Sequence, residues 1–577
     1  MRIAIATLAA ALSLAIVGCG PSPSTPKAET ETKPATAALP DYYGTLEPMA
    51  SDAVYFVLTD RFVNGDTSND QRDQGKAKGD DFYTFDRPVP GAPAGKHDNV
   101  GYLGGDFKGI ADHAQYIRDM GFGAVWITPI VDQPDEAFTG GEPAKWEGFW
   151  TDGGKTGYHG YWGVNFYQLD EHLPSPGLDF RGLTKTLRAH GLKTVLDIVA
   201  NHGSPAYTMP VDQPKFGEIY DGSGTLIADH MNLPPEKLDP KSPLNAFYNR
   251  KVGIAQLSDL NESDPRVLPY LVGAYEQWID QGADAFRIDT IGWLPHSFWH
   301  AFSQKIREKR PGFFMFGEAF DYDAKKIAEH TWAENAGVSV LDFPLKQALA
   351  NLFEKPAGDF ASLVESLHLT GGPYANPYEL MTFYDNHDMP RMNASDAGFI
   401  DAHNWLFTAR GIPVIYYGSE IGFERGTAEH AGNRNYFGVE RIEAAKTHPI
   451  QAALTRVAKV RAASPALQRG LQVNIELKGD RAAFYRVYQH KGQHQIALVL
   501  LNKGDAPTRF NITQMLQAGP WRSGFDNSVS DVAVGGAFDS EVAAHGVQVW
   551  LLDAPVSNPA LVSALGAAMT GKGVTKN

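Results

Sequence analysis

Short apolar runs that end in polar residues recur along the chain. They are three to five residues long, which is typical of parallel strands that are buried on both faces. Segments with the periodicity of an amphipathic helix separate most of these runs. Eight strands alternating with helices predict an α/β fold, a (β/α)₈ TIM barrel. The predicted strands are Val54–Leu58, Ala124–Thr128, Thr194–Ile198, Ala285–Ile288, Phe314–Phe316, Val338–Leu341, Met381–Phe383 and Val414–Tyr416.

The spacing of the predicted strands places the domain boundaries. The stretch after the third strand is too long for one barrel loop and is rich in Pro, Gly, Asp and Asn, so residues 203–257 are predicted to form an inserted domain. The barrel then comprises residues 46–202 and 258–463. Alternating apolar and polar positions in residues 464–555 predict an antiparallel β-sandwich, and residues 556–577 receive no assignment.

Residues 1–19 have the features of an export signal. The positive start Met1-Arg2 precedes an apolar stretch that is too short for a membrane span. This stretch ends in Ile16-Val17-Gly18-Cys19, which resembles the cleavage site of bacterial lipoproteins; an ordinary signal peptide with a chance cysteine is the alternative. An acylated Cys19 would anchor the protein to a Gram-negative outer membrane, facing the periplasm or the exterior. Residues 20–45 are rich in Pro, Ser, Thr and Ala and are predicted to be a disordered tether.

The composition limits the classes of partner. A net charge of −16 argues against nucleic acid and anionic lipid as binding partners. Aromatic residues make up 11% of the chain, which suits stacking on sugars but is equally explained by a large core. The protein is expected to be a monomer.

Four segments place carboxylate or imidazole side chains where predicted strands end. A single Asp after a strand is more often a helix cap or part of a structural ion pair. Four such segments in barrel order together indicate a site that cleaves glycosidic bonds, because that reaction needs paired carboxylates. The segments are Asp197-Ile198-Val199-Ala200-Asn201-His202, Ala285-Phe286-Arg287-Ile288-Asp289, Phe314-Met315-Phe316-Gly317-Glu318 and Phe383-Tyr384-Asp385-Asn386-His387-Asp388.

From about Val54 to Arg434, the chain resembles the α-amylase family of retaining glycosidases. Two further segments resemble family motifs, Leu257-Ser258-Asp259-Leu260-Asn261 and Gly411-Ile412-Pro413-Val414-Ile415-Tyr416-Tyr417-Gly418-Ser419-Glu420. Within the family, Gly160-Tyr161-Trp162 and Asp385-Asn386-His387-Asp388-Met389 are most similar to cyclodextrin glucanotransferases and their close amylase relatives. The resemblance also implies the inserted domain and the C-terminal sandwich.

Retaining cleavage needs one carboxylate that attacks the anomeric carbon and a second, protonated one about 5 Å away. Asp289 and Glu318 follow adjacent predicted strands and fit these roles. The resemblance implies that Asp289 is the nucleophile and Glu318 the acid/base. It also implies that Asp388 binds hydroxyls of the distorted sugar and raises the pKa of the acid. Arg287, two residues before Asp289, points to the same side of its strand and can hold that carboxylate ionised.

Further residues are assigned to the sugar by resemblance. His202 and His387 would donate hydrogen bonds to its hydroxyls, and Tyr161 would stack on its face. Arg434, which the resemblance places among the sugar-binding residues, is retained. On the acceptor side, His230 replaces a central aromatic residue of the glucanotransferases, and Gly292-Trp293 replaces a Lys-His pair. On the donor side, His430 stands where an Asp is expected. These losses favour hydrolysis over transfer.

Calcium is the expected cofactor. A turn rich in Asn, Asp and Gly is followed by Gly104-Gly105-Asp106, and together they offer the oxygen ligands that Ca²⁺ prefers. Such clusters are often only turns, but the match to the N-terminal site of the glucanotransferases favours a metal site. The implied ligands are Asn64, Asp66, Asn69, Asp70, Gly104 and Asp106. A second calcium would use Asn201 and Asp259, next to a loop altered at Gly292.

The sequence therefore predicts a lipid-anchored, α-amylase-type enzyme that hydrolyses α-1,4 bonds of starch-like glucans or maltooligosaccharides. A cyclodextrin glucanotransferase or cyclodextrinase shares the same catalytic residues and is the enzymatic alternative. A lipid-anchored glucan-binding protein is the alternative from another class. The presence of Asp289, Glu318 and Asp388 argues against it, because binding needs no nucleophile.

Overall fold

The computed structural model describes residues 39–573, apart from residues 76, 77, 80, 94–97, 147, 149 and 150. The predicted signal segment with Cys19 and residues 20–38 of the predicted tether precede the described residues. The rest of the predicted tether is described, and Tyr42 within it is buried and forms an antiparallel bridge with Gln489. Among the described residues, no helix combines the length and the apolar character that crossing a bilayer requires.

Eight parallel strands form a barrel, as the sequence predicts. Around the barrel, each strand pairs with its neighbours in chain order, and the first strand pairs with the eighth. A single bridge between Leu341 and Met381 joins the sixth strand to the seventh and closes the ring. The side chains of the first two strands are fully buried, which explains their unbroken apolar sequence. The barrel strands are Val54–Val57, Ala124–Ile127, Lys193–Ile198, Ala285–Ile288, Phe314–Gly317, Ser339–Val340, Met381–Thr382 and Ile412–Tyr416.

The helices lie between and after the barrel strands. The helix Phe180–Ala189, which follows the second barrel strand, has Asp179 as its N-cap, and the Asp179 carboxylate accepts a hydrogen bond from the Gly182 amide at 2.8 Å. The α-helices of this region are Thr59–Phe62, Phe107–Asp112, Ala114–Asp119, Phe180–Ala189, Val267–Asp280, His296–Lys309, Ala324–Ala328, Phe343–Phe353, Val364–Leu367, Asp396–Thr408, Gly438–Ala445, Pro449–Ala462 and Pro465–Arg469.

The segment after the third barrel strand forms short antiparallel pairs. His202–Pro205 pairs with Leu257–Asp259, so the two ends of the predicted insertion lie side by side at the barrel rim. Within the segment, Glu218–Tyr220 pairs with Leu226–Asp229. The long loop between the second and third barrel strands contributes another pair, Val131–Asp132 with Asn165–Leu169. A small apolar core beside these strands comprises Phe138, Trp162, Met209 and Phe216.

The chain beyond the barrel is antiparallel. Six strands form one sheet, and a two-stranded sheet made by Thr508–Ile512 and Phe538–Val542 shares its apolar core. The six strands are Leu471–Lys478, Arg481–His490, Gln493–Asn502, Gly519–Ser523, Val529–Val532 and Gly546–Leu552. A final helix, Pro559–Gly571, lies in the tail that received no assignment. Its buried residues Leu561 and Leu565 pack into the same core.

Candidate active site

Asp289 and Glu318 directly follow the fourth and fifth barrel strands. In the register of these strands Ile288 lies opposite Gly317, so the two carboxylates leave the barrel at the same level. The Glu318 amide donates to the Ile288 carbonyl at 2.8 Å, and the Asp289 amide donates to the Ile198 carbonyl at 2.9 Å. The hydrogen-bonded ladder thus continues past the strand ends and fixes both acidic residues on rigid backbone.

The guanidinium of Arg287 joins three carboxylates. Its Nη1 donates to Asp289 Oδ1 at 2.8 Å and to Asp197 Oδ1 at 2.9 Å. Its Nη2 lies 3.0 Å from Glu318 Oε1, an ion-pair contact that lacks the alignment of a hydrogen bond. The Arg287 side chain is 0% exposed. Burial lowers the pKa of this guanidinium, but the surrounding carboxylates reverse the effect and raise it well above its ordinary value. Arg287 is therefore a permanent cation at the centre of the site.

The surroundings of Glu318 favour the protonated form of its carboxyl group. Burial raises the pKa of its carboxyl well above the ordinary range. Arg287 opposes this shift, whereas the negative charges of Asp388 and Asp289 add to it. The Thr290 amide donates weakly to Glu318 Oε2 at 3.4 Å. Two neighbouring carboxyl groups in different environments, one of them kept neutral, are the arrangement that separates a general acid from a nucleophile.

Asp388 is held by Arg434 at the end of the seventh strand. Arg434 Nη2 donates to Asp388 Oδ1 at 2.9 Å, and Arg434 Nε donates to the His387 carbonyl at 2.9 Å. His387 Nε2 lies 3.2 Å from Asp388 Oδ2. Burial lowers the pKa of His387 well below its ordinary value, and Arg434 and Arg287 add to this effect. His387 is therefore neutral beside Asp388. The Asp388 side chain is 26% exposed, so its carboxylate can also meet a ligand.

Tyr161 and Asp197 connect the two halves of the site. The Tyr161 hydroxyl donates to Asp197 Oδ2 at 2.8 Å, and its ring stacks on the His387 ring at a centroid distance of 5.3 Å. Trp126 Nε1 donates to the same Asp197 oxygen at 3.0 Å. Burial raises the pKa of Asp197 to about 7, although Arg287 opposes the shift. Asp197 begins the first of the four motif segments, but the sequence assigned it no role. The structure shows that its carboxylate binds both Arg287 and Tyr161.

The two remaining predicted histidines have different surroundings. His202 is buried at the start of the inserted segment, where burial lowers its pKa and Asp289 opposes the shift. His230 is 1% exposed. Its ring stacks on Tyr207 at 5.8 Å and lies 5.1 Å from the Tyr248 ring. The charge of Asp289 thus reaches His202, whereas the ring contacts of His230 are with residues of its own segment.

An open groove of about 520 Å³ lies beside Glu318. Two aromatic residues of its lining are exposed, Trp293 by 57% and Phe320 by 45%. Gly292 lines the groove as well, and a Cβ at that position would meet no atom within 4 Å. Exposed aromatic faces are suited to stacking on sugar rings. The sequence indicated that Gly292-Trp293 replaces a Lys-His pair here, but it did not predict that the rings of Trp293 and Phe320 are exposed.

The predicted calcium ligands cluster around Gly104. Asn64 and Asp70 meet there, with Asn64 Nδ2 donating to Asp70 Oδ1 at 2.8 Å. Gly104 has φ +85°, and a Cβ at this position would lie 2.1 Å from Asn64 Nδ2, so only glycine fits. Asn64 Oδ1 and Asn69 Oδ1 are buried and have no hydrogen-bond partner among the described residues. Orphaned oxygens among carboxylates are the donor set that a calcium ion would complete.

Two predicted ligands have a second task in the same loop. The Asp106 carboxylate accepts from the amides of Gly65, Asp66 and Gly109, at 3.1, 2.8 and 2.6 Å. Asp106 is thereby the N-cap of helix Phe107–Asp112. The Asp66 carboxylate accepts from the Ser68 amide at 3.0 Å. These hydrogen bonds hold the loop in shape with its own donors.

The second predicted calcium pair is also brought together. Asn201 Nδ2 donates to Asp259 Oδ1 at 3.3 Å, and the two strands that carry the ends of the insertion meet here. Burial raises the pKa of Asp259 to about 7, and the hydrogen bond from Asn201 opposes the shift. A buried carboxylate with a raised pKa and no cationic partner would gain from a bound cation.

A second acidic cluster was not predicted from the sequence. Among the described residues, Asp132, Asp135 and Glu171 form the one group of acidic, histidine and cysteine ligands compact enough for a metal. The Lys215 ammonium lies 3.2 Å from Asp132 Oδ1 and 2.9 Å from Asp135 Oδ1. Lys215 already supplies the cation that this cluster needs, so the cluster is best described as an ion-pair network.

Comparison with known proteins settles the family. A sequence profile described as "Alpha amylase, catalytic domain" matches residues 56–217 and 240–448. The chain belongs to the α-amylase family. Among curated members of the family, a cyclomaltodextrin glucanotransferase from Thermoanaerobacterium thermosulfurigenes is 28% identical, over 94% of this chain and 73% of its own length. One from Niallia circulans has the same identity and coverage.

Solved structures of α-amylase family members show the same architecture. A cyclomaltodextrin glucanotransferase described as having a three-domain ABC distribution is 28% identical, with a TM-score of 0.71, and the match covers 87% of this chain and 99% of the other. An α-amylase from Geobacillus thermoleovorans, solved with acarbose, is 25% identical, with a TM-score of 0.65 and coverages of 87% and 98%. Both hydrolases and transferases of this family thus resemble the chain.

Proposed function

We propose that the protein cleaves α-1,4-glucosidic bonds of starch-like glucans or maltooligosaccharides with retention, and that water is its main acceptor. The observation that carries the proposal is the pair Asp289 and Glu318, opposite each other on adjacent strands and sharing one buried cation, Arg287. The raised pKa of the Glu318 carboxyl favours its protonated form, which suits the proton donor of such a pair.

In the proposed reaction, each residue of the site has a separate role. The Asp289 carboxylate attacks the anomeric carbon while the Glu318 carboxyl donates its proton to the departing oxygen, which leaves a glycosyl group on Asp289. Glu318 then takes a proton from water, and the resulting hydroxide displaces Asp289 and restores the starting state. Arg287 keeps the attacking carboxylate paired, and Asp388 with His387 offers hydrogen bonds to the distorted sugar.

Near-isosteric substitutions test these roles. Asp289→Asn and Glu318→Gln should each lower kcat on maltoheptaose by on the order of 10³-fold or more, because each removes a group that acts on the bond itself. Asp342→Asn is the matched control, since Asp342 is equally buried and pairs with a buried arginine, Arg410, at 2.7 Å outside the site. Turnover by folded Asp289→Asn near the wild-type rate would refute the assignment. A wild-type protein that binds maltoheptaose without turnover would instead be a glucan-binding protein.

The acceptor groove supports glucan transfer as a second candidate function. Trp293 and Phe320 present exposed rings beside Glu318, the residue that would activate an acceptor. A sugar held on these rings would compete with water for the glycosyl group on Asp289. Resolving the products from maltoheptaose by chromatography distinguishes the two: short linear products support hydrolysis, and cyclic products or products longer than the donor support transfer.

Calcium is proposed as a structural ligand of the N-terminal loop. Asn64 and Asn69 supply two unpartnered buried oxygens, and Asp70 with the Gly104 backbone lies against them. A bound ion would supply positive charge that ties this loop together, at a distance from the bond-breaking step. Stoichiometric calcium in the purified protein, measured by atomic emission, would support this proposal.

The lipid anchor remains a proposal that rests on the sequence Ile16-Val17-Gly18-Cys19. Acylation of Cys19 would place the protein on an outer membrane. Labelling of the wild-type protein by radioactive palmitate, and loss of the label in Cys19→Ser, would support acylation; an unlabelled wild-type protein would contradict it.

A further inference from the structure

A chain of buried charges leads away from Asp388 behind the catalytic residues. Arg434, which holds Asp388, also places its Nη1 3.0 Å from Glu429 Oε1. The same Glu429 oxygen accepts from Lys155 Nζ at 3.0 Å. Lys155 also lies 2.9 Å from Asp152. Charges therefore alternate from Asp388 through Arg434 and Glu429 to Lys155.

This chain of charges joins two loops on the barrel. Lys155 lies in the long loop between the second and third barrel strands, and Glu429 lies in the loop after the eighth strand. The two residues are 274 positions apart in the sequence. Their contact therefore links these two loops to each other. Neither residue was assigned a role from the sequence.

Burial makes these contacts obligatory. Burial alone would raise the pKa of Glu429, but Arg434 and Lys155 reverse the effect and hold the pKa well below its ordinary value. Burial would lower the pKa of Lys155, and Glu429 with Asp152 raises it instead. Glu429 is thus a permanent anion between two cations. Removing it would leave both cations buried with one carboxylate partner each.

Three nitrogens of the Arg434 guanidinium are each fixed by a different partner. Nε donates to the His387 carbonyl and Nη2 to Asp388. Nη1 lies 3.0 Å from Glu429 Oε1, an ion-pair contact, and donates a hydrogen bond to the Tyr158 hydroxyl at 3.3 Å. Without Glu429, Nη1 loses its charged partner and keeps only this neutral acceptor, and the plane of the guanidinium can turn. A turn about Nε displaces Nη2, the atom that orients Asp388.

We propose that Glu429 is a positioning residue, which locks Arg434 so that Asp388 meets the sugar in its reactive orientation, and that Lys155 holds Glu429 in place from the opposite loop. The proposal rests on the proposed function, because it assigns Asp388 to the distorted sugar. Glu429 itself is buried and is not required to touch substrate. Its effect is therefore expected in turnover and not in ground-state binding.

A double-mutant cycle on the full chain tests this with maltoheptaose. Glu429→Gln keeps the shape of the side chain and removes its charge. We expect kcat to fall by about 10- to 100-fold, since displacement of a positioning group by about 1 Å costs rates of this order. KM should stay within about threefold of the wild-type value. In the Asp388→Asn background, Glu429→Gln should lower the residual rate by less than about threefold, because its target is already lost.

Glu420→Gln is the matched control. Glu420 is also buried, lies nine positions earlier, and accepts from the hydroxyls of Tyr55 and Tyr116 at 2.7 Å each, away from the catalytic residues. It should lower the melting temperature and leave kcat within about twofold, as expected for a purely structural carboxylate. If Glu429→Gln does not fold, Glu429→Asp keeps the charge but shortens the reach, and it should still lower kcat about tenfold.

The outcomes separate this proposal from the function on which it rests. An active wild type with wild-type kcat in folded Glu429→Gln, or in Glu429→Asp where only that variant folds, would overturn the positioning role alone. An equal loss from Glu429→Gln with and without Asp388→Asn would show that Glu429 does not act through Asp388, and would also overturn it. Failure of both Glu429 variants to fold would assign Glu429 to stability instead. An inactive wild type would refute the proposed function itself.

Discussion

Arg287→Met gives the sharpest test of the electrostatics of the site. The substitution keeps a long unbranched side chain and removes a cation that contacts Asp197, Asp289 and Glu318. Breaking a buried ion pair by removing one partner costs about 3–5 kcal/mol, because the remaining charge stays buried without compensation. We expect a loss of unfolding free energy of this size at pH 9.

The loss should depend on pH in a defined direction. Burial already raises the pKa of Asp197 to about 7 while Arg287 opposes the shift, so removing Arg287 raises this pKa further. A carboxyl whose pKa is higher in the folded than in the unfolded state destabilises the fold increasingly as the pH rises from the unfolded to the folded pKa, and the penalty is complete above the folded pKa. This penalty disappears as the pH falls and the group binds a proton. The deficit of the variant should therefore shrink between pH 9 and pH 6, by about 1.4 kcal/mol for each unit of added shift.

Arg486→Met provides the matched control. Arg486 is also fully buried, but it donates to the backbone carbonyls of Thr408, Ala409 and Gly470. The titratable groups that act on it are Tyr378 and Arg410, neither of which is a carboxylate. Its removal should destabilise the protein equally at both pH values. Urea midpoints of both variants and the wild type, measured at pH 6 and pH 9, supply the comparison. An Arg287→Met deficit as independent of pH as that of Arg486→Met would refute the reasoning.

Three further predictions follow from the site. A calcium chelator should lower the melting temperature of the wild type by removing a ligand of the native state, and Asn64→Ala should abolish this response. An unchanged wild-type melting temperature would contradict the metal site. Asp106→Ala is a poorer test, because Asp106 also caps a helix. The alkaline limb of kcat/KM against pH should report the raised pKa of Glu318, and Asp388→Asn should move that limb to lower pH because Asp388 adds to the shift; a limb that stays in place would contradict this coupling. His230→Tyr should raise the ratio of transfer to hydrolysis, and Trp293→Ala should lower it. Product chromatography measures both ratios; an unchanged ratio in His230→Tyr would remove His230 from the acceptor site, and an unchanged ratio in Trp293→Ala would remove the groove from the acceptor path.

The sequence predicted the fold because each of its signals is local. Apolar runs mark buried strands wherever they stand, and all eight predicted barrel strands are present. Polar residues at the ends of parallel strands must meet at one rim, so Asp289 and Glu318 could be paired without coordinates. The C-terminal helix Pro559–Gly571 was missed because its small, Ala-rich sequence has little amphipathic contrast, and its packing on the C-terminal core is what marks it as a stable helix.

The sequence by itself determined the barrel and singled out the proposed catalytic carboxylates and the candidate calcium ligands, since short motifs carry these features. Only the tertiary structure decided how the charges are shared. The pairing of Arg287 with three carboxylates, the raised pKa of Glu318 and the contact between Lys155 and Glu429 all depend on burial and on residues far apart in the chain. Burial removes the screening by water that would make such charges independent, and packing alone determines which charges lose it together.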